Sequence, residues 1–151
     1  MGKNLQGKLL TLTKRIRTTP FSSRTEKYVK GVTVYNHMIL PTVFNSLEED
    51  YKHLKTEVQL WDVSVQRQVE IRGKDARKLL EKLTPRSLEN MTSGKCLYIP
   101  MVNKLGGMIN DPVLLKLDEN RYWISIADSG VLLWVSGVAS GLSLDVSVFE
   151  P

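Results

Sequence analysis

Gln68-Val69-Glu70-Ile71-Arg72, then Gly73-Lys74-Asp75, then Ala76-Arg77-Lys78-Leu79-Leu80-Glu81-Lys82-Leu83 is the stretch whose reading decides the fold class. The first five residues alternate polar and apolar, the period of a strand with one dry face. The last eight place Ala76, Leu79, Leu80 and Leu83 at helical spacing, and Pro85 ends the run. Downstream, residues 96–102 read as an apolar strand, and Asn103-Lys104-Leu105-Gly106-Gly107 as a hairpin turn whose two glycines are free to take positive φ. Residues 108–117 return as a strand interrupted by Pro112, and Asp118-Glu119-Asn120 turns the chain into a strand over 122–126. A helix follows over about 130–139, with Val131, Leu132, Val135 and Val138 on its apolar side, and residues 142–149 alternate as a last strand. This order predicts an α+β fold: a split-βαβ, ferredoxin-like antiparallel sheet with its helices on one face, since one face must be dry and no third layer is available.

Upstream the pattern is less regular. Thr18-Thr19-Pro20-Phe21-Ser22-Ser23 reads as a loop, and residues 31–44 as a short strand around Val32, Val34 and Tyr35 that Pro41 interrupts. Ser46 and Glu49 form a capping box for a helix running to about Val58, with Leu47, Tyr51, Leu54 and Val58 as its apolar stripe. The first nineteen residues carry Lys3, Lys8, Lys14, Arg15 and Arg17 and no acid. They lack the apolar block of a secretory signal and read as a plain basic arm, which could be disordered, rather than as an organellar presequence. No apolar run approaches the roughly 20 residues of a membrane span. The chain stops directly after an apolar strand, and the natural protein is expected to continue beyond Pro151.

Net charge is +5 and the pI about 9.4, but the cations are scattered among acids without interleaved aromatics, so nucleic-acid binding is not expected. The single cysteine, Cys96, excludes an intramolecular disulfide and a cysteine-based zinc site; a buried, inert thiol in a cytoplasmic protein is the expectation. Two histidines are too few for a metal centre. His53 is read as solvated, and His37, beside Tyr35 and Met38, as a buried hydrogen-bonded ring. Walker, dinucleotide-binding, metalloprotease and nucleophile-elbow signatures are missing. One local feature stands out: Asn110-Asp111-Pro112 sits inside an otherwise apolar strand. Proline cannot donate to a ladder, so this point is an edge, a bulge or a strand end. Asp111 could there accept hydrogen bonds from a ligand. On these residues alone, a local structural role for Asp111 is favoured.

Several motifs in linked order carry a resemblance. Trp61-Asp62-Val63-Ser64 and Val69-Glu70-Ile71-Arg72-Gly73-Lys74-Asp75-Ala76 resemble segments of the glycine-cleavage T-protein (aminomethyltransferase) family. Gly94-Lys95-Cys96-Leu97-Tyr98 and Gly106-Gly107-Met108-Ile109-Asn110-Asp111 resemble two more at matching separation. Thr19-Pro20-Phe21-Ser22-Ser23-Arg24, Thr33-Val34-Tyr35-Asn36-His37-Met38, Arg67-Gln68-Val69 and Asn110-Asp111-Pro112-Val113 are similar to the dimethylsulfoniopropionate demethylase branch. T-proteins usually read Ser-His-Met-Gly where this chain has Ser64-Val65-Gln66-Arg67, and carry a second acid at Asn110. Both departures favour the demethylase-type relative.

The resemblance implies a tetrahydrofolate-dependent methyl- or aminomethyl-transferring enzyme with three domains around a central folate channel. This chain would be an incomplete fragment of it, with weak or no activity by itself. Residues 1–19 would be the arm, 20–60 the start of folate-binding domain 1, and 61–151 an inserted α+β domain with an incomplete continuation. Asp111 would contact the folate and act in catalysis, Tyr98 would lie against it, and Ser125 and Ala127 would belong to the strand lining the pterin pocket. A sulfonium methyl donor such as dimethylsulfoniopropionate favours an aromatic wall, to which Tyr35 is assigned first, before Trp61, Trp123 and Trp134. The alternatives are the glycine-cleavage aminomethyltransferase, with a lipoyl carrier protein as partner, and a non-catalytic folate-binding module.

Overall fold

The computed structural model describes residues 13–151, so the basic arm lies outside the described residues as far as residue 12. The chain forms two compact units that part between Val65 and Gln66.

In the first unit, a one-turn helix α1 (Ser22–Thr25) occupies the expected loop. Strands β1 (Gly31–Tyr35) and β2 (Met38–Val43) form an antiparallel hairpin, with Pro41 accommodated opposite Val32 beside a register shift. Asn36 and His37 are its turn, both at positive φ (49° and 62°), as a two-residue hairpin loop of primed type requires. This corrects the reading of His37. At the turn tip its ring is exposed, and Asn36 is the buried residue, its Nδ2 donating to Val65 O at 3.0 Å. Arg17 bridges Met38 in parallel. The Thr19 hydroxyl donates to Asp62 Oδ2, while Asp62 Oδ1 accepts from Ser64 N at 3.0 Å, so the Asp-Val-Ser motif ties two distant loops of this unit together. Helix α2 (Leu47–Thr56) has the expected cap, with Ser46 Oγ accepting from Glu49 N at 3.1 Å. Its stripe of Leu47, Tyr51, Leu54 and Val58 is exposed, however, and the helix buries no residue among those described.

In the second unit, β3 (Gln68–Arg72), α3 (Ala76–Leu83), β4 (Cys96–Tyr98), β5 (Met101–Val102), β6 (Met108–Asn110), β7 (Val113–Asp118), β8 (Arg121–Ser125), α4 (Val131–Gly141) and β9 (Ser147–Phe149) follow in order. The main sheet runs β4-β7-β8-β3-β9, every pair antiparallel. Four of these strands, in the order β9-β3-β8-β7, make the split-βαβ arrangement, and β4 extends its edge. Ala76, Leu79, Leu80 and Leu83 of α3 bury as expected, sharing one core with Val69, Ile71, Leu114, Tyr122 and Ile124 of the sheet; of the expected side of α4, Val131 and Val135 bury fully and Leu132 and Val138 in part, and Ala139 joins them. Both helices therefore cover one face, and the fold class is as expected. The turn from β3 into α3 needs Gly73: its φ is +144°, and a Cβ there would meet the backbone of Asp145 and Val146.

The expected strand over 96–102 is two strands, β4 and β5, broken at Ile99-Pro100, and its partner is broken at Asp111-Pro112 into β6 and β7. The two breaks face each other, Ile99 N donating to Pro112 O at 3.0 Å, and the hairpin beyond them leaves the main sheet as the small β5–β6 pair. Of the turn glycines only Gly106 has positive φ (79°). Cys96 corrects a second expectation. It is exposed, because it starts an edge strand and points to the face opposite Leu97, which packs on the core. No helix among the described residues is long and apolar enough to cross a membrane.

The face without helices holds a buried acid. Glu70 is 1% exposed yet takes Arg121 Nε and Nη2 at 2.8 and 3.0 Å and Trp123 Nε1 at 2.7 Å. The Arg121 hydrogen bond, opposed by burial and reinforced by Trp123, holds its carboxyl below the ordinary value of 4.5. A carboxyl depressed in the folded state contributes stability that is complete above about 4.5 and lost as pH falls through the folded value. Glu70→Gln is expected to lower the unfolding free energy at neutral pH by about 1–3 kcal/mol and to flatten its acid-side decline, measured by urea unfolding between pH 7 and 3.

Candidate functional site

Register brings the sequence-chosen residues of the second unit to one place. Tyr98 pairs with Val113, Val113 with Ser125, and Ser125 with Gln68, so these four form one row across β4, β7, β8 and β3. Side chains alternate along each strand, and Leu97, Leu114, Ile124 and Val69 form the neighbouring core row; the Tyr98 row therefore lies on the helix-free face. Tyr98 and Ser125 are two strand spacings apart, about 10 Å.

Asp111 stands at the head of this row. Being followed by Pro112 at the break, it leaves the ladder and is exposed, and the Tyr98 hydroxyl donates to its Oδ2 at 3.2 Å. Partial desolvation, then the charge and hydrogen bond of Asp111, raise the Tyr98 phenol above its ordinary value of 10. A tyrosine face, the half-exposed Val113 and a carboxylate on one open surface fit a flat heteroaromatic ligand bearing N–H donors.

Asn110, immediately before Asp111, takes the opposite role. It is 4% exposed, and its carboxamide grips Ala127 from both sides: Oδ1 accepts from Ala127 N at 3.1 Å, and Nδ2 donates to Ala127 O at 3.1 Å and to Ser129 Oγ at 2.8 Å. A carboxylate could not donate, so the amide at this position is what the contact requires. Because Asn110 takes both backbone groups of Ala127, Ala127 offers a ligand only the second lone pair of its carbonyl. Ser125 is half-buried at the end of β8 and accepts from Gln68 Nε2 at 3.0 Å. Sequence reasoning missed Asn110 and Gln68; the signal for Asn110 was a carboxamide in an apolar strand, whereas nothing local marks Gln68.

Tyr35 ends β1 in the first unit, half-buried and paired with Met38. Trp123 is engaged with Glu70, while Trp61 and Trp134 are exposed. Among the described residues no cluster of His, Cys, Asp or Glu could hold a metal ion.

A family model described as the GCVT N-terminal domain matches residues 21–150. The chain belongs to this family. Dimethylsulfoniopropionate demethylase DmdA of Ruegeria pomeroyi is 49% identical over 139 residues, which cover 91% of this chain and 38% of the relative. An aminomethyltransferase of Staphylococcus epidermidis is 27% identical over 139 residues, covering 90% and 38%. The glycine cleavage system aminomethyltransferase T of Bartonella henselae superposes with a TM-score of 0.74 at 21% identity, over 90% of this chain and 38% of that one, a likeness of fold. The chain thus spans about two fifths of the length of these relatives. The T-protein resemblance read from the motifs is confirmed, with higher identity to the demethylase than to the aminomethyltransferase.

The site makes one prediction about protonation. A neighbouring negative charge disfavours the phenolate, so Asp111→Asn is expected to lower the Tyr98 pKa. The ultraviolet difference spectrum of an alkaline titration, isolated by subtracting the Tyr98→Phe variant, reads it directly.

Proposed function

We propose that this chain supplies the folate-contacting surface of a tetrahydrofolate-dependent methyltransferase that demethylates dimethylsulfoniopropionate. The observation that carries the reading is the Tyr98–Asp111 hydrogen bond at the head of an open row on the helix-free face, in a chain of this family. Asp111 accepts N–H groups of the ligand and keeps the site negative, favouring a cationic substrate. Tyr98 offers its ring face, and Ser125 and the segment around Ala127 bound the pterin end. Tyr35 is the proposed aromatic contact for the sulfonium. Bound tetrahydrofolate supplies N5, a neutral amine that accepts the methyl group. The residues' task is alignment rather than strong acid or base chemistry, since a sulfonium methyl is already activated by its charge.

The choice of methyl donor is supported by the 49% identity to the demethylase against 27% to the aminomethyltransferase, and by the amide of Asn110 where T-proteins carry a second acid. Residues 20–60 are proposed as the start of folate-binding domain 1 and 61–151 as the inserted domain, in a cytoplasmic enzyme whose remaining folate contacts come from sequence outside this chain.

Calorimetric titration with tetrahydrofolate, using the chain in its full natural length, tests the folate contact. Asp111→Asn is expected to weaken binding about 10- to 100-fold, the worth of one charge-assisted hydrogen bond. Unchanged affinity removes Asp111 from the site. Methyl transfer from dimethylsulfoniopropionate is the expected activity; glycine cleavage with a lipoyl carrier protein in its place would assign the aminomethyltransferase instead.

A further inference from the structure

Helices α3 and α4 share the task of covering the core, but their outer sides differ in kind. The outer side of α3 carries Arg77, Lys78, Glu81 and Lys82, with Arg77 and Glu81 joined by an ion pair at 2.8 Å, as a solvated helix ordinarily does. That of α4 carries Leu133, Trp134, Gly137, Ser140 and Gly141, all exposed, with Leu133 78% and Trp134 40% open. No Asp, Glu, Lys or Arg occurs from residue 130 to residue 144, in a chain of which 25% is charged. The two glycines have no local reason to be there. Neither has positive φ, and a Cβ on either would meet nothing beyond the helix itself within 4 Å. Alanine, the better helix former, would fit both places. What glycine offers instead is room for another backbone to come close.

We propose that the outer side of α4 is an interface with a second copy of this chain, the two α4 helices crossing antiparallel about a two-fold axis at Gly137. Charge selects the occupant. Each copy carries a net charge of +5, so close approach of two copies is opposed except where the surface is neutral. An isologous contact sets a patch against itself, and an uncharged apolar patch tolerates its own image. A lipid surface is disfavoured by the same feature, since helices that lie on membranes carry Lys and Arg beside their apolar side. Size points the same way. With the axis at Gly137, Leu133 falls against Gly141 of the partner subunit, Trp134 against Ser140 of the partner subunit, and the two Gly137 residues meet on the axis. Large side chains from the first half of the helix thus meet small ones from the second half, twice over. The stripe is narrow, so each copy buries less than the roughly 800 Å² of a standard interface, and a reversible dimer of micromolar affinity is expected.

Sedimentation equilibrium of the chain in its full natural length, from low-micromolar to near-millimolar concentration, tests the interface. The native protein is expected to pass from monomer to dimer across that range. Leu133→Glu sets a carboxylate against the C-terminal end of the partner's α4, the negative end of the helix, and is expected to weaken association at least about 100-fold. Gly137→Ala is the second arm. It should raise the thermal midpoint of the monomer, because alanine is the better helix former, and still weaken the dimer about tenfold by holding the helices apart. A variant that merely failed to fold could not move the two readouts in opposite directions. Lys78→Glu, on the outer side of α3, should leave association unchanged. A protein that is monomeric at every concentration overturns the proposal, and so does a dimer that Leu133→Glu and Gly137→Ala leave intact. None of these outcomes depends on folate binding.

Discussion

Burial of one face of the β4-β7-β8-β3-β9 sheet under α3 and α4 is the constraint on which the second unit depends. Each helix has an apolar stripe and must spend it on the sheet, and each strand points alternate residues at them. Truncating a fully buried leucine of that core, such as Leu79 or Leu80, would remove about 2–5 kcal/mol, a large part of the stability of a domain this size. With two helices spent on one side, no helix of the second unit lies on the other side of the same strands. The surface that carries Tyr98, Val113, Ser125 and Gln68 is therefore a direct consequence of how the core is made.

An uncovered sheet face would ordinarily be polar and solvated. Here it centres on Glu70, buried without any helix over it, because Arg121 and Trp123 from the neighbouring strand close on the carboxylate. The charge keeps its hydrogen bonds, and Trp123 keeps its N–H satisfied.

The paired interruptions at Pro100 and Pro112 set the site's polarity. A proline on each strand removes a donor from the ladder, and the hairpin leaves the main sheet at that point. Residues on either side then part company: Asn110 turns inward to clamp Ala127, and Asp111 turns outward to Tyr98. One step of backbone thus separates an amide that shapes the surface from a carboxylate that stands on it beside Tyr98.

Local physics in the sequence was enough for the helices and most strands of the second unit, the one-sided helix packing, the Ser46 cap and the interruption at Asp111-Pro112, since periodicity, capping and proline placement act within a few residues. The T-protein motifs, also local, pointed to the family. Other features depended on which distant strands pair. Cys96 reads as apolar from its neighbours but lies on the open face of an edge strand, and His37 reads as buried until Asn36 and His37 are seen to be a hairpin turn. The exposed stripe of α2 shows the same limit, for periodicity says which residues share a side and nothing about what meets it. Gln68 is the clearest case. Its amide is oriented by Gln66 and by Ser125, the latter 57 residues away, and register across a sheet is decided by the whole packed structure.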